Sequence, residues 1–471
     1  ITYGEHDMAE NIVHLVLART PDAPEGVKGI SLFVVPKFMV NADGSLGKRN
    51  DVYCASIEEK LGIKASPTAV LVYGDDKGEV GPGAIGYLVG EENRGLEYMF
   101  IMMNAARYDV GVQGIAVSER AYQHAVAYAR DRVQSRPVDG SAKESVAIIH
   151  HPDVKRMLLT MRGLVEGARA MAMVGAAAYD TAHNHPDAAV AQQAQAFYEF
   201  LVPLIKGFST ENSVEVTSLG VQVHGGMGFI EETGAAQYYR DSRILPIYEG
   251  TTAIQANDLV GRKTLRDKGA MAKAIAAQIA DVEGQLAARN SAAGKKLGLQ
   301  LKAAREAFLQ AVDFVLANAK TDPNAVFSGS VPYLMLTANL VSGWQMARAL
   351  IVAEDKLAAD ALRDSEDRFR RILQEVDSIA MQGYSADGTT RFWNPASEKL
   401  YGYSAAEAIG SNLLDLIIPQ EMRPSVRQAI EAMCRSGVAT PPQELLLQHK
   451  DGSRVAVFSS HVVLQAPGRA P

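Results

Sequence analysis

The chain has 471 residues, 47% hydrophobic and 21% charged, which is typical of a globular protein with room for about three domains. Its formal net charge of −7 argues against nucleic-acid binding, because affinity for phosphates depends on an excess of Lys and Arg. The only cysteines, Cys54 and Cys434, form no CxxC motif, which excludes a disulfide framework and favours a cytoplasmic location. No apolar run reaches the length of a membrane span, so no membrane partner is expected.

Residues 1–95 have the pattern of β-strands. The short β-rich runs NIVHLVLART, GISLFVVPKF and TAVLVYGD are bounded by Pro, Gly, Asp and Asn. The segment GPGAIG, Gly81–Gly86, fits the G-x-G-x-x-G pattern of dinucleotide-binding proteins. That fingerprint requires a helix to open inside the motif, whereas here a further strand and a turn follow. The sequence therefore predicts a glycine-rich loop and no Rossmann site.

From Leu96 onward the spacing of apolar residues predicts helices. One long helix begins there, a second runs from Pro152 to about Tyr179, and a third covers about 187–219, where Pro203 could introduce a kink. Shorter helices are predicted over 252–261, 270–290, 295–320 and 332–356. The short loops between them indicate an antiparallel bundle. We assign 96–262 to this bundle and 263–357 to a helical extension.

The composition changes again near Leu357. Residues 358–378 form a charged segment with an apolar stripe, which predicts a linker helix. In 379–471 short β runs flank the tight-turn dipeptides Asp387-Gly388 and Asp451-Gly452. We therefore expect an α+β multidomain protein, consisting of a partial β domain, a helical bundle with its extension, and a second α+β domain.

Glu249 is the first candidate for a chemical role. It lies between the apolar run ILPIY and a Gly-Thr-Thr turn that opens a helix. A glutamate at a helix start interacts favourably with the helix dipole and needs no function. Alternatively, apolar neighbours would desolvate the carboxylate and raise its pKa toward that of a general base, while Gly250 would let another group approach closely. The residues alone leave both interpretations open.

A second candidate is the segment QVHGGMGF, Gln222–Phe229. Its glycines could offer free backbone N–H groups to a phosphate, or could form an ordinary helix C-cap and loop. His224 has no partner at metal-ligand spacing, so we expect it to be structural and expect no metal site. Arg132 ends a helix and could either meet an anion or remain solvated.

Taken together and in this order, these segments resemble the acyl-CoA dehydrogenase family. LGVQVHGGMGFIEETGAAQYYRDSRILPIYEGTTAIQ resembles its carboxyl-terminal signature, and KLGIKASPTAVLVY, GEENRGLEYMF and ARYDVGVQGIA resemble its middle and later segments. The opening ITYGEHDMAENIVHLVLART resembles the β-domain strand beside the flavin. The resemblance covers Ile1 to about Leu357. It is strongest to a branch with an extended carboxyl-terminal region, which includes enzymes acting on 3-methylthiopropionyl-CoA.

The resemblance implies binding of FAD and an acyl-CoA thioester. Glu249, in the YEGT motif, would remove the α-proton of the thioester while a β-hydride passes to the flavin, giving a 2-enoyl-CoA. A lone carboxylate suits this role because nearby cations would weaken it as a base. Electrons would continue to an electron-transferring flavoprotein, and a homodimer or homotetramer is expected.

The same resemblance assigns the remaining site residues. Positions matching family contacts to FAD are Thr2, Arg132, Gln222, Gly225, Gly226, Thr251 and Gln255. Positions matching the substrate site are Arg107, Tyr248 and Gly250. In this family the segment around Gln222 commonly contacts the adenosine diphosphate of a neighbouring subunit's FAD. The family's amino-terminal helical domain and first β-strands have no counterpart here, so we expect an N-terminally truncated fragment.

The last part of the chain resembles a PAS sensor domain. The resemblance rests on GYSADGTTRFWNPASEKLYGYSAAEAIGSNLLDLI, Gly383–Ile417, and on HKDGSRVAVFSS, with the charged segment before them resembling a signal helix. We expect Trp393 and Asn394 to serve the fold, and we expect a C-terminally truncated domain that lacks its last strand after Leu464. PAS domains bind small ligands or dimerise. The alternative function is therefore a signalling protein whose dehydrogenase-like part is a non-catalytic scaffold, and the unusual junction suggests a fused reading frame.

Overall fold

The computed structural model describes residues 1–375 and 379–463. The chain divides into two compact units, Ile1–Ile351 and Val352–Pro471. The finer division proposed from the sequence stays a prediction. Helix α9 runs without interruption over Ser330–Glu375. The helix predicted over 332–356 and the charged helix predicted after it are therefore parts of one helix.

The amino-terminal part is made of short antiparallel strands. They are β1 (Val13–Ala18), β2 (Ser31–Pro36), β3 (Phe38–Val40), β4 (Leu46–Arg49), β5 (Val52–Ile57), β6 (Ala69–Tyr73) and β7 (Tyr87–Leu88). They pair as β1-β2-β7, β3-β4 and β5-β6. The three predicted runs form β1, β2 and β6, whereas β3, β4 and β5 were missed. The Asp43-Gly44 dipeptide between β3 and β4 was the available signal for that hairpin. The segment Gly81–Gly86 is a loop that leads into β7, as predicted.

Three long helices follow. They are α1 (Gly95–Asp131), α2 (Pro152–Asn184) and α3 (Ala188–His224). Pro203 lies inside α3, which continues past it. Helices α1 and α3 run in the same direction and approach closely at two glycines. A Cβ atom on Gly111 would lie 2.9 Å from the carbonyl oxygen of Ile205, and one on Gly114 would lie 2.8 Å from that of Ser209. Only glycine allows this backbone contact.

The remaining helices of the first unit complete its core. They are α4 (Ala235–Ser242), α5 (Thr252–Asp258), a π-helical turn (Leu259–Leu265), α6 (Ala270–Ala287), α7 (Ala292–Asn318) and α8 (Pro323–Ser328). Phe208 of α3, Ile279 of α6, Phe308 of α7 and Leu334 of α9 all belong to one buried cluster. The predicted bundle and the predicted extension therefore share a single hydrophobic core. Among the described residues no helix is long and apolar enough to cross a membrane.

The second unit contains β8 (Gln382–Tyr384), β9 (Thr390–Trp393), α10 (Pro395–Tyr401), α11 (Ala405–Ala408), α12 (Leu413–Leu416), α13 (Arg423–Ser436), β10 (Gln443–Gln448) and β11 (Arg454–Ser459). Strands β8 and β9 pair, as do β10 and β11. Gly388 and Gly452 lie in the two hairpin turns with φ of 83° and 89°, which confirms the predicted Asp-Gly turns. The predicted lack of a last strand after Leu464 concerns residues outside those that the structure describes.

Trp393 and Asn394 both serve the fold of this unit. The Trp393 indole is buried and donates to the carbonyl oxygen of Tyr403 at 3.0 Å. The Asn394 side chain accepts from the backbone N–H groups of Met381 and Ser397, at 2.9 and 3.0 Å. These contacts fit the structural role predicted for the pair.

Candidate active site

Glu249 lies in the loop between α4 and α5, with an unusual backbone conformation. Its φ is 53° and that of Gly250 is 90°, so two successive residues occupy left-handed conformations. Such a conformation costs a non-glycine residue roughly 1–2 kcal/mol and persists only where neighbouring contacts hold it. Thr251 then caps α5 by accepting from the N–H of Ile254 at 3.4 Å.

The Glu249 carboxylate is exposed in this structure. Leu245 turns into the core at 5% exposure, but Ile247 is 46% exposed and does not cover the acid. The expectation that the apolar run would desolvate the carboxylate is therefore wrong for the described residues. Glu249 is thus exposed, whereas the side chains that hydrogen-bond to the backbone of its loop are buried.

Lys206 is the main support, and sequence reasoning missed it. Its side chain is completely buried, and its Nζ donates to the carbonyl oxygens of Leu245 and Gly250, both at 2.8 Å. Burial lowers the pKa of Lys206; the charge of Arg107 adds to this shift, Glu211 and Glu249 oppose it, and the resulting pKa is about 8. Lys206 is the one charged residue in the otherwise uncharged run 200–210, and this was the available sequence signal. In the structure every residue of that run is buried.

Gln255 supports the same loop from the first turns of α5. Its buried amide nitrogen donates to the carbonyl oxygens of Gly250 at 3.1 Å and Glu249 at 3.3 Å. Its amide oxygen is buried and has no hydrogen-bond partner among the described residues. Because buried polar atoms are normally paired, this oxygen is suited to a donor from a ligand. Beside it, the Thr252 hydroxyl donates to the Glu211 carboxylate at 2.5 Å.

Two further predicted residues belong to this group. The Tyr248 hydroxyl donates to the side-chain oxygen of Gln113 on α1, and burial raises its pKa, with the charge of Glu249 adding to the effect. Arg107 is 5% exposed and donates to the Asp258 carboxylate at 3.1 Å. The structure thus gathers Arg107, Tyr248, Gly250, Thr251 and Gln255 around the loop that carries Glu249.

Arg132, Gln222, Gly225 and Gly226 form a separate group at the carboxyl-terminal ends of α1 and α3. All four residues are exposed. The N–H of Gly225 donates to the carbonyl oxygen of Gln222 and closes the helix, which agrees with the helix C-cap, one of the two interpretations of this segment. A Cβ atom on Gly225 or Gly226 would meet no atom within 4 Å, which shows that the surface above them is open.

His224 lies beneath this second group. Its ring stacks on Tyr128 of α1 with centroids 4.4 Å apart, and its Nδ1 bonds the carbonyl oxygen of Gly220 at 2.7 Å. Burial lowers the pKa of His224, which favours the neutral ring. No group of three metal-ligating side chains occurs in the part of the chain that the structure describes. These contacts support the structural role predicted for His224.

The two groups are far apart along α1, and Thr2 lies in the β-rich part of the chain. Arg107 and Arg132 are separated by 25 positions along α1 and its cap, roughly 38 Å at the helical rise. Thr2 forms a backbone bridge with Thr68 in the β-rich part. The structure therefore places the ten predicted binding residues and Glu249 in three locations.

Comparison with known families agrees with this architecture. Residues 93–265 match the family described as acyl-CoA dehydrogenase, C-terminal domain, and residues 271–371 match the family described as acetyl-CoA dehydrogenase C-terminal like. Residues 390–470 match the PAS fold. The chain therefore contains acyl-CoA dehydrogenase carboxyl-terminal domains within 93–371, followed by a PAS fold.

Two dehydrogenases are among the curated relatives of this chain. The chain is 61% identical over 358 residues to 3-methylmercaptopropionyl-CoA dehydrogenase of Ruegeria pomeroyi, covering 76% of this chain and 59% of that protein. It is 36% identical over 375 residues to the broad-specificity linear acyl-CoA dehydrogenase FadE5 of Mycobacterium tuberculosis, covering 77% of this chain and 61% of that protein. The chain thus spans about three fifths of the length of these relatives.

Solved structures show the same fold. A Bacillus anthracis acyl-CoA dehydrogenase complexed with FAD matches with a TM-score of 0.54 and 23% identity, over 75% of this chain and 56% of that one. ACDH-11 of Caenorhabditis elegans, in complex with C11-CoA, matches with a TM-score of 0.55 and 22% identity, over 71% and 52%. At these identities the likeness defines the fold.

Proposed function

We propose that this chain is an FAD-dependent acyl-CoA dehydrogenase in which Glu249 removes the α-proton of the acyl-CoA thioester. The observation that carries the proposal is the loop around Glu249. Its backbone carbonyls are held by the buried Lys206 and Gln255 while the carboxylate itself remains accessible. The 61% identity to a dehydrogenase of a thioether-containing acyl-CoA supports an acyl-CoA as the substrate.

The residues around this loop fit FAD. The unpaired amide oxygen of Gln255 can accept from a flavin N–H group, and the exposed Thr251 lies one helical turn before it. Bound FAD would supply the acceptor for the β-hydride. Glu249 would hold the α-proton on its carboxylate, and a thioester lying over this acid would exclude water and make it a stronger base.

The second group fits the other end of an FAD molecule. Arg132 offers an exposed cation for a pyrophosphate, and the open surface over Gly225 and Gly226 can accommodate a flat or bulky group. Roughly 38 Å along α1 is longer than one FAD molecule spans, so we propose that the two groups serve different FAD molecules in a homo-oligomer. An electron-transferring flavoprotein is the proposed electron acceptor.

The test is the bleaching of flavin absorbance by an acyl-CoA. The full chain is reconstituted with FAD, desalted, and mixed anaerobically with 3-methylmercaptopropionyl-CoA or butyryl-CoA. The variant E249Q should retain the flavin but bleach roughly 10²- to 10⁴-fold more slowly, the usual contribution of a general base. E232Q is the matched control, because Glu232 is also exposed but lies in the turn before α4.

The outcomes separate the two functions considered. Equal bleaching by E249Q and the unmodified chain would refute the role of Glu249. A chain that binds no FAD would refute the dehydrogenase proposal and leave the alternative, a signalling protein built on a non-catalytic scaffold.

A further inference from the structure

Lys206 is a buried cation that the proposed reaction does not consume. It extends from the middle of α3, in a run where every residue from 200 to 210 is buried, and its side chain has no exposed surface. Burying an ammonium group is costly unless hydrogen bonds compensate for the lost water. Replacing this lysine by an apolar residue would relieve that cost, so a purely packing role does not explain the charge.

The partners of Lys206 connect it to one short loop. Its Nζ donates to the carbonyl oxygens of Leu245 and Gly250, which flank Tyr248 and Glu249. Hydrogen bonds from a charged donor are roughly twice as strong as neutral ones. The two bonds therefore hold both ends of the six-residue loop Leu245–Gly250. The bond to Gly250 also holds its carbonyl group in place directly after Glu249, where both residues have positive φ angles.

We propose that Lys206 is a positioning residue, which fixes the Leu245–Gly250 loop from below and so sets the position of the Glu249 carboxylate for proton abstraction. This inference rests on the proposed function for its catalytic consequence, but the effect on the loop is independent of it. Gln255 assists at the same Gly250 carbonyl, at 3.1 Å, and cannot replace Lys206 at Leu245.

A second lysine in the same helical bundle, Lys263, provides a matched control. Lys263 donates to the Glu199 carboxylate of α3 at 2.8 Å, and its side chain is 15% exposed. K206M and K263M thus each remove one ammonium group and its hydrogen bonds. Only K206M removes hydrogen bonds to the Leu245–Gly250 loop.

The first readout is backbone amide exchange in a peptide covering residues 243–256, measured by mass spectrometry on the full chain without FAD. K206M should accelerate exchange there at least tenfold, and K263M should leave it unchanged. The second readout is flavin bleaching by an acyl-CoA, in which K206M should lower the limiting rate at least tenfold with little change in the half-saturating substrate concentration. A loss of general stability alone would change both variants alike.

The unmodified chain provides a test if K206M does not fold. The ionisable groups facing the Lys206 ammonium are Arg107 from α1, Glu211 from α3 and Glu249 from the loop. Because burial lowers the pKa of Lys206 to about 8, its hydrogen bonds should weaken from charged to neutral strength as the pH rises through 8. Exchange in 243–256, corrected for its intrinsic dependence on pH, should then increase several-fold.

Equal exchange in K206M and K263M would overturn the proposal, as would a flat corrected profile in the unmodified chain between pH 6 and 9.5. These results are distinct from a failure of the proposed function. If E249Q bleaches flavin normally, the catalytic role of Glu249 is lost, whereas the difference in exchange between the two lysine variants is still expected.

Discussion

The buried ion pair between Arg107 and Asp258 should contribute substantially to the stability of the first unit. The two side chains are 6% and 8% exposed, and their N–O distance is 3.1 Å. R107M leaves the Asp258 carboxylate in a dry environment, which typically costs about 3–5 kcal/mol. Arg262 remains 3.5 Å from the other carboxylate oxygen, although it is 58% exposed. This remaining partner places the expected loss near the lower end, at about 3 kcal/mol.

The assay is urea unfolding followed by tryptophan fluorescence. Trp344 lies in the core of the first unit, and Trp393 lies in the second unit, so a W393F background isolates the signal of the first unit. The matched control is R94M. Arg94 pairs with Glu97 on the surface, where such pairs contribute at most about 1 kcal/mol.

A double variant identifies the cause of the loss. R107M/D258V removes both charges, and replacing a whole buried pair by apolar residues is often nearly neutral. The double variant should therefore be more stable than R107M alone. An R107M loss no larger than that of R94M would refute the reasoning, and a double variant as unstable as R107M would show that the unpaired carboxylate is not the cause.

Two further predictions concern the loop and the second unit. G250A places a Cβ atom 2.8 Å from the Gln255 amide nitrogen at a φ of 90°, so it should lower the free energy of unfolding by about 2–4 kcal/mol. The control G226A, whose Cβ meets no atom within 4 Å, should lower it by less than about 0.5 kcal/mol. Equal thermal unfolding temperatures for the two variants would contradict this prediction. Hydrogen bonds from Lys450, then from Ser404, lower the pKa of Glu407 from 4.5 to about 2, so its contribution is complete above pH 4.5 and is lost as the pH falls toward 2. E407Q should flatten the acid dependence of the second unit's unfolding temperature in that window, and an unchanged slope would argue against the linkage.

Much of the fold follows from periodicity, and its errors have physical causes. The helices α1 to α3 were predicted because their apolar residues recur at helical spacing over more than 30 residues each. The change of composition near Leu357 does not end α9, because it concerns the charge of the side chains. The segment 357–375 contains no Gly or Pro, so it has no residue that would end the helix.

The site was predictable in its motifs but not in its environment. The family resemblance pointed to Glu249 and its neighbours, and the structure gathers five of the predicted residues around that loop. The exposure of Glu249 could not be read from ILPIY, because the loop turns Leu245 inward and leaves Ile247 outside. Lys206 was missed because periodicity shows which helical face is apolar and does not show which carbonyl groups approach that face from elsewhere.

The close contact of α1 with α3 has a consequence for the distant loop. Gln113 lies between Gly111 and Gly114 on α1 and bonds Tyr248, while Lys206 on α3 bonds the two carbonyls that flank it. Because the glycines bring the helix backbones into direct contact, neither helix can slide along the other without a steric clash. We therefore expect a larger residue at Gly111 or Gly114 to shift α1 against α3 and so to move the loop that carries Glu249.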